Sequence, residues 1–412
     1  MAKIKIQNIG PIVDVDIEIN KVNVIMGPQS SGKSTIAKVI SFCTWLDKKF
    51  SKEGFSKNEP VLDYIQELKD YHRLSEEYFN KESKIVFEGD FIEIHYNDDS
   101  PMVYREAFSI DGFRIGMKDF SPIDNNSKII YIPAERNFVS IIYNLQEYLR
   151  DRDNIQDFVT NWYEAKRKYS NRNKLNILDL GVEYYSESED IDKLHLTNGD
   201  DIKLQVASSG LQAVVPLITM FDYAIKGIYK ERRPMSVKER DELVKKLNEL
   251  VRNNEGKKHN VDLARILDLV NSKNYKYSQI IVEEPEQNLF PLTQRNLVYY
   301  MLRMCNETER NHRLTLTTHS PYILYAINNC MLGGLVNSQL EGSEKEEYLN
   351  NEFASKNSWI DPKFVSVWEI EDGKIRNIQD KDNIISYNYF DTKMTELIDE
   401  YDQILNYYKD EK

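Results

Sequence analysis

The sequence predicts an α/β fold, and two observations support this prediction. Short apolar, β-branched runs typical of buried strands recur along the chain, separated by segments of helical pattern. One such run, at 22–26, leads directly into the glycine-containing stretch 27–35, and a helical pattern follows at once. A strand, a glycine-rich turn and a helix in this order form the local structure that binds a phosphate group.

The stretch 27–35 matches G-x-x-x-x-G-K-S, the phosphate-binding loop of nucleotide hydrolases. Glycines allow backbone N–H groups to close around a phosphate, and the helix N-terminus adds partial positive charge. We expect Lys33 to contact the β- and γ-phosphates and the Ser34 hydroxyl to ligate Mg²⁺. The pattern does not distinguish ATP from GTP. The predicted nucleotide-binding residues of this loop are Gly27, Pro28, Ser30, Ser31, Gly32, Lys33, Ser34 and Thr35.

Composition indicates a globular protein. A chain of 412 residues, 41% hydrophobic and 29% charged, is long enough for two domains or for one large domain with an inserted lobe. No run of 18 apolar residues exists, so no membrane partner is expected. Three widely spaced cysteines predict neither a disulfide framework nor a zinc site and favour the cytoplasm. The net charge of −13 argues against DNA binding by the whole surface but leaves room for a local basic patch.

The first third of the chain predicts mostly strands. Residues 3–26 predict three short strands, and helical patterns follow at 35–50 and 60–82. Alternating apolar and polar residues predict antiparallel strands at 85–115. Another buried strand is predicted at 129–133.

The middle of the chain predicts a mainly helical lobe. Residues 138–175 predict a helix with a basic end, and a hairpin turning at 198–200 follows. Helical pattern resumes at 209–230, and the strongly charged residues 226–260 predict a solvated helical insertion.

The remainder predicts two more buried strands at 277–282 and 314–317, a hairpin at 364–378 and an amphipathic C-terminal helix. We divide the chain into an N-terminal half of the core at 1–135, a helical lobe at 136–275, a C-terminal half at 276–380 and a C-terminal helix at 381–412.

Two adjacent acids follow the predicted strand 277–282. Glu283 is positioned to support Mg²⁺ beside Ser34, and Glu284 to polarise the attacking water as a general base, a contribution of ~10²–10⁴-fold in rate. Taken alone, the same acids would suit a solvated turn.

His319 and the turn at 207–212 carry weaker signals. His319 follows the next apolar strand, where it could hydrogen-bond the γ-phosphate or the attacking water, although a single histidine there is often only structural. Ser208 and Gly210 lie in the sequence Ala-Ser-Ser-Gly-Leu-Gln, which suits an ordinary helix N-cap. Their position between the phosphate loop and the acidic strand also suits a signature loop.

The order of these motifs resembles the ABC-type ATPase heads of the RecF/SMC/OLD group. The resemblance covers 27–35, 207–212, Val-Glu-Glu-Pro-Glu-Gln-Asn-Leu-Phe-Pro at 282–291 and Thr-His-Ser-Pro at 318–321. The run Ile-Gln-Asn-Ile-Gly-Pro-Ile at 6–12 and the strand end Tyr-Ile-Pro-Ala-Glu-Arg at 131–136 fit the same group. More narrowly, the chain is similar to ATPase subunits of bacterial anti-phage systems of the PtuA and AriA kind.

This resemblance implies an α/β P-loop NTPase of the ABC-head type with an inserted helical lobe. It implies that ATP and Mg²⁺ are bound, with Glu283 supporting the metal, Glu284 acting as base and His319 as the switch histidine. Ser208 and Gly210 would contact the γ-phosphate held by a second subunit. Glu283 stands where an aspartate is more usual, and Ser-Ser-Gly-Leu replaces the Ser-Gly-Gly-Gln of transporters.

The same resemblance implies a homodimer, or a larger even-numbered oligomer, that closes around ATP, hydrolyses it slowly and gates a separate effector protein such as a nuclease or toxin. The alternatives are a RecF-like ATPase acting on DNA and a scaffold that holds ATP with little turnover. No nuclease is expected within the chain. The basic segments 166–174 and 226–240 suit solvated helix faces, or a surface for DNA or an acidic protein.

Overall fold

The computed structural model describes residues 2–53, 63–110, 112–118, 126–142, 145, 152–229, 275–340 and 353–410. Its strands are β1 Ala2–Ile9, β2 Ile12–Ile19, β3 Val22–Met26, β4 Lys84–Glu88, β5 Ile92–Tyr96, β6 Arg105–Ile110, β7 Phe113–Met117, β8 Ser127–Ile132, β9 Leu175–Asn176, β10 Val182–Ser188, β11 Ile191–Leu196, β12 Asp201–Lys203, β13 Tyr277–Glu283, β14 Arg313–Thr318, β15 Val365–Glu371 and β16 Lys374–Asn377. Its helices are α1 Lys33–Glu53, α2 Tyr64–His72, α3 Phe138–Ile141, α4 Asn154–Lys166, α5 Ser209–Asp222, α6 Pro291–Asn306, α7 Pro321–Leu340 and α8 Tyr389–Asp410.

Within these residues, twelve strands form one sheet in the order β6-β7-β5-β4-β1-β2-β16-β15-β3-β14-β13-β8. The half from β6 to β2 is antiparallel, whereas β15, β3, β14, β13 and β8 run parallel to one another. Crossovers through helices are needed to join parallel strands, so the sequence pattern of strands alternating with helices is explained. The α/β prediction is therefore confirmed.

Strand β3 shows why the parallel half reads as an unbroken apolar run. All five of its residues are buried, because helices cover both faces of the sheet. Val24 belongs to the core cluster that includes Leu297 of α6, whereas Ile25 belongs to the cluster that includes Ile36 of α1. The phosphate loop therefore starts from a strand that is fixed on both faces.

Two predicted helices are shorter in the structure. The helix predicted at 60–82 is α2, which is capped at Asp63 and ends at Arg73 in a left-handed conformation with φ +54°. In place of the helix predicted at 138–175, the described residues contain α3 and α4, and strand β9 follows. The charged composition of both segments suited a helix but did not mark where the helices end.

The region between β8 and β13 contains β-structure as well as helices. Strands β9 to β12 form a four-stranded antiparallel sheet, and the predicted turn at 198–200 joins β11 to β12. The predicted charged insertion at 226–260 lies outside the described residues beyond 229. The structure leaves the division of the chain into four regions as a prediction.

Two cations of the basic segment at 166–174 are paired with acids. Lys166 is only 3% exposed, and its Nζ lies 3.0 Å from an Asp192 carboxylate oxygen. Arg167 pairs with Glu189 at 2.8 Å. In the second segment, Lys226 pairs with Glu307 at 3.0 Å, and 230–240 lie outside the described residues. The first two cations of this segment are held by acids of the neighbouring hairpin, and a surface formed by both basic segments stays a prediction.

Helix α8 is amphipathic, as predicted, and most of its apolar side chains are exposed. These exposed side chains are Met394, Leu397, Ile398, Tyr401, Ile404, Tyr407 and Tyr408. The helix is held at its first turn, where the Asp391 carboxylate accepts a hydrogen bond from Asn388 Nδ2 at 2.7 Å. Among the described residues, no helix is both long and apolar enough to cross a membrane.

Candidate active site

Strand register brings the predicted site residues to one edge of the sheet. Met26, the last residue of β3, pairs with Thr318 at the end of β14, and Thr317 pairs with Glu283 at the end of β13. Val282 in turn pairs with Ile132 at the end of β8. The segments that follow these four strands therefore emerge side by side, at the carboxyl edge where parallel α/β sheets bind ligands.

The phosphate loop closes between β3 and α1 in backbone conformations that require glycine. Gly27 has φ +156° and Gly32 has φ +105°. A Cβ atom on Gly27 would lie 2.3 Å from the Ile370 carbonyl oxygen, and one on Gly32 would lie 2.9 Å from Ile12 Cγ1. Ser30 also adopts a left-handed conformation, with φ +60°. The loop is thus fixed by β15 and β2 as well as by its own turn.

Lys33 is buried inside this loop. Its ammonium donates hydrogen bonds to the Gly27 carbonyl at 2.9 Å, to the Pro28 carbonyl, and to Ser31 Oγ at 3.4 Å. Burial lowers the pKa of Lys33 to about 8, and the negative charge of Glu284 opposes that shift. A phosphate placed in the loop would add negative charge beside this buried ammonium and raise its pKa. In the same loop Thr35 is buried and Ser34 is partly exposed.

The two adjacent acids diverge. Glu283 is 4% exposed and turns toward β8, where one carboxylate oxygen accepts a hydrogen bond from the Tyr131 hydroxyl at 2.6 Å. Its other oxygen accepts from the Ala134 N–H at 3.3 Å. Glu284 has φ +43° and its N–H donates to the Thr317 carbonyl at 2.9 Å. This left-handed conformation ends β13, and the Glu284 side chain points toward the end of β14.

Glu284 and His319 meet directly. The Nε2 atom of His319 lies 2.6 Å from Glu284 Oε1, and this hydrogen bond is the main reason that the pKa of Glu284 lies below its usual value. Lys33 lowers the same pKa further by its charge. The predicted base is thus ionised, oriented by the predicted switch histidine and electrostatically coupled to the predicted phosphate ligand.

Ser208 and Gly210 lie at the N-terminus of α5. Ser208 is the N-cap residue of α5, and its Oγ accepts a hydrogen bond from Leu211 N–H at 3.5 Å. The structure therefore contains the ordinary helix N-cap that the sequence suited. A Cβ atom on Gly210 would lie 2.9 Å from the Asn288 carbonyl oxygen, so this turn lies against the segment that follows the acidic pair. No hydrogen bond among the described residues joins Ser208 or Gly210 to the phosphate loop of the same chain.

A family model described as an AAA domain matches residues 3–289, about 70% of the chain. The chain belongs to this AAA-domain family. The matched region of this AAA-domain protein contains the phosphate loop, the turn at Ser208 and the acidic pair, and it ends before His319. No curated protein matches the chain.

Among solved structures, this AAA-domain protein is similar to the SMC head domain from Thermotoga maritima, with 11% identity, a TM-score of 0.37 and coverage of 91% of this chain and 97% of that one. It is also similar to an Smc head from Pyrococcus furiosus bound to the C-terminal domain of ScpA, with 10% identity, a TM-score of 0.34 and coverage of 97% and 100%. A dimeric post-hydrolysis ATP-binding cassette bound to ADP and Pi shows 12% identity, a TM-score of 0.27 and coverage of 91% and 97%. The family match and the mixed sheet agree with the predicted α/β P-loop NTPase fold.

The AAA-domain protein has an oxygen donor set that fits Mg²⁺. The Ser34 hydroxyl and the Glu283 carboxylate are hard oxygen ligands, and each Glu283 oxygen retains a lone pair after its hydrogen bond. In the described part of the chain, no group of three or more His, Cys, Asp and Glu residues forms a metal cluster. Bound Mg²⁺ would therefore take its remaining ligands from phosphate oxygens and water, as this ion generally does.

Three residues of the site had no role assigned from the sequence. Tyr131 bonds Glu283, as described above. Glu286 accepts hydrogen bonds from the His319 N–H at 2.6 Å and the Thr318 hydroxyl at 2.9 Å. Arg136 donates to the carbonyl oxygens of both Glu283 and Glu284 at 2.8 Å. For Arg136, the available signal in the sequence was a polar pair, Glu135 and Arg136, just after the apolar strand 129–133. The partners of Arg136 lie far away in sequence, so the pair did not indicate what it binds.

Proposed function

We propose that this protein binds ATP with Mg²⁺ and hydrolyses it at the carboxyl edge of the parallel strands. The observation that carries the proposal is the Glu284–His319 pair at 2.6 Å, beside a phosphate loop whose Lys33 is close enough to lower the pKa of Glu284. Lys33 would hold the β- and γ-phosphates, while Ser34 and Glu283 would hold Mg²⁺, which neutralises phosphate charge. Glu284 would accept the proton of the attacking water.

Replacement of Glu284 by Gln tests this proposal, because the amide keeps the shape of the side chain but cannot act as a base. ATP should bind and persist, and steady-state phosphate release should fall at least tenfold, a threshold below the ~10²–10⁴-fold typical of general bases. Lys33→Ala, by contrast, should abolish nucleotide binding. Unchanged turnover in Glu284→Gln would contradict the assignment of the base.

We also propose that two copies close around ATP, with Ser208 and Gly210 acting on the partner's nucleotide. Ser208 is exposed, and among the described residues it makes no hydrogen bond with its own phosphate loop, which leaves it available to another subunit. Large apolar side chains near this turn are exposed as well: Val206 by 75% and Phe290 by 76%. Exposed apolar side chains beside a polar site are typical of a surface that is covered in an assembly.

A hybrid dimer tests this arrangement. Ser208→Arg places a bulky cation where the partner's γ-phosphate would arrive, so it should block closure but leave ATP binding intact. Mixed with Lys33→Ala subunits, it should form dimers with one site built from an intact phosphate loop and an intact Ser208. Recovery of turnover on mixing supports sites in trans, whereas two inactive proteins that stay inactive contradict them.

We further propose that closure gates a separate effector, a nuclease or toxin, in anti-phage defence. Support for this step comes from the order of the motifs and from its resemblance to the ATPase subunits of such systems. The alternative of an ATPase acting on DNA gains no support from Lys166 and Arg167, because both are paired with acids of the same chain. The product of the neighbouring gene should change its activity with ATP, and this response should be lost with Lys33→Ala. Equal effector activity under all these conditions contradicts gating.

A further inference from the structure

The guanidinium of Arg136 is completely buried and donates all five of its N–H groups to backbone carbonyl oxygens. Nε donates to Ala213 at 3.2 Å, Nη1 to Pro133 at 3.3 Å and Glu283 at 2.8 Å, and Nη2 to Glu284 at 2.8 Å and Pro285 at 3.4 Å. Five is the complete donor inventory of an arginine side chain.

These five bonds connect three elements. They join the end of β8 to the turn that follows β13, and both to α5, whose N-terminus carries Ser208 and Gly210. Ala213 lies on α5 only three positions after Gly210. A single side chain therefore links the helix proposed to receive the partner subunit with the backbone of the proposed base.

On α5, two backbone carbonyls accept hydrogen bonds from outside the helix. Pro216 lies inside α5 and has no N–H, so the Gln212 carbonyl lacks its usual partner four residues ahead. The Ser140 hydroxyl takes that position and donates to the Gln212 carbonyl at 2.8 Å. Ser140 and Arg136 thus hold two consecutive carbonyls of α5 from the same neighbouring segment, which fixes the helix there.

The Glu284 side of the link lies on a strained residue. Glu284 carries a Cβ atom and still adopts φ +43°, a conformation that is common for glycine but uncommon for residues with a side chain. Its N–H is fixed by Thr317 and its carbonyl by Arg136. The direction in which its carboxylate leaves the backbone, toward His319, depends on both bonds being kept.

We propose that Arg136 is a positioning residue that couples engagement of α5 by a second subunit to the orientation of Glu284. This inference rests on the proposed function, since it assigns a path between two of its parts. A shift of α5 moves the Ala213 carbonyl, the planar guanidinium moves with it, and the Glu284 peptide follows. Lysine would keep the charge, but its three donors on one nitrogen cannot span the three elements.

Arg136→Lys tests the coupling when turnover is measured as a function of protein concentration. In the wild type, turnover per subunit should rise with concentration as dimers form. In Arg136→Lys, ATP affinity should stay within about threefold of the wild type, and light scattering should still detect dimers with a non-hydrolysable analogue. The rise of turnover per subunit with concentration should nevertheless be reduced at least tenfold. A full rise in turnover, or the loss of ATP binding or of dimers in a folded variant, overturns the proposal.

Ser140→Ala keeps the proposal testable if Arg136→Lys does not fold. It removes the second α5 contact, leaves Arg136 in place and should reduce the concentration-dependent rise at least threefold without changing turnover at low concentration. Ser358→Ala is the matched control, because the buried Ser358 hydroxyl likewise donates to a helix carbonyl, Tyr299 of α6, at 2.7 Å. Equal behaviour of the two alanine variants overturns the proposal. A wild type without turnover would refute the proposed function itself, before any variant is compared.

Discussion

Glu284 and His319, which directly follow neighbouring parallel strands, share a hydrogen bond of 2.6 Å between a carboxylate oxygen and an imidazole nitrogen. Glu286 holds the backbone N–H of the same histidine at 2.6 Å, so the imidazole is fixed from its main chain as well. Because a base must be ionised and oriented when water attacks, this pair is expected to function as a unit.

A double-mutant cycle tests that unit. His319→Ala and Glu284→Gln should each lower turnover, but the double variant should be about as slow as the slower single variant, because each change already breaks the pair. Turnover of the four proteins at saturating ATP is the measurement. Independent multiplication of the two effects would show that His319 acts on something other than Glu284.

Nucleotide affinity should depend on pH through Lys33. Burial lowers the pKa of Lys33 to about 8 in the free protein, and a bound phosphate would raise it. The ammonium form binds phosphate, so affinity should be flat below pH 8 and should fall above it, by up to about tenfold per pH unit. Titration with a fluorescent ATP analogue from pH 6.5 to about 9.5 measures this.

Lys33→Arg is the control for that titration, because a guanidinium stays protonated throughout the range. Whatever its absolute affinity, this variant should show no decline between pH 8 and about 9.5. The same decline in both proteins would mean that another group titrates.

Removal of the Tyr131 hydroxyl should weaken Mg²⁺ binding. Tyr131→Phe leaves Glu283 without its 2.6 Å hydrogen bond, so the carboxylate is no longer oriented toward the metal. Loss of such an outer partner typically weakens metal affinity about 10–100-fold. The measurement is the Mg²⁺ concentration that gives half-maximal ATP turnover.

Tyr184→Phe provides the matched control, because the buried Tyr184 hydroxyl likewise bonds a carboxylate, Asp192, at 2.6 Å away from the site. It should lower the thermal midpoint without changing the Mg²⁺ requirement. If the two variants have the same Mg²⁺ requirement, Tyr131 does not orient Glu283 for the metal.

Acid should destabilise the fold through His72. This residue is fully buried, both ring nitrogens lack hydrogen-bond partners within the described part of the chain, and burial lowers its pKa to about 3. The unfolded chain binds a proton near pH 6.5 and the folded chain does not, so stability is lost as pH falls from 6.5 toward 3. Between pH 7 and 5.5 this group removes about 1 kcal/mol.

Urea unfolding of wild type and His72→Phe at those two pH values isolates this contribution. The comparison between proteins is needed because burial raises the pKa of Asp47 to about 6. Asp47 therefore lowers stability as pH rises from 3.8, whereas His72 raises it. His72→Phe should lose about 1 kcal/mol less stability than the wild type on acidification. Parallel losses in both proteins would exclude His72 as the source.

The sequence by itself determined the parts of the site that are encoded by neighbouring residues. The phosphate loop, the acidic pair and His319 each directly follow a buried strand, so local chemistry specifies both the strand and what leaves its end. Parallel strand ends meet at one edge of a sheet, so the assembly of Lys33, Glu284 and His319 could also be predicted.

Tertiary structure alone decided what holds those residues in place. Arg136 and the Glu283 carbonyl it binds are 147 positions apart, and Tyr131 and the Glu283 carboxylate are 152 positions apart. Lys166 belonged to a basic run in sequence, but folding buries it against Asp192 of the next hairpin. Such contacts depend on which strands and helices become neighbours, and a pattern within one segment carries no information about a partner that only the packed chain brings into reach.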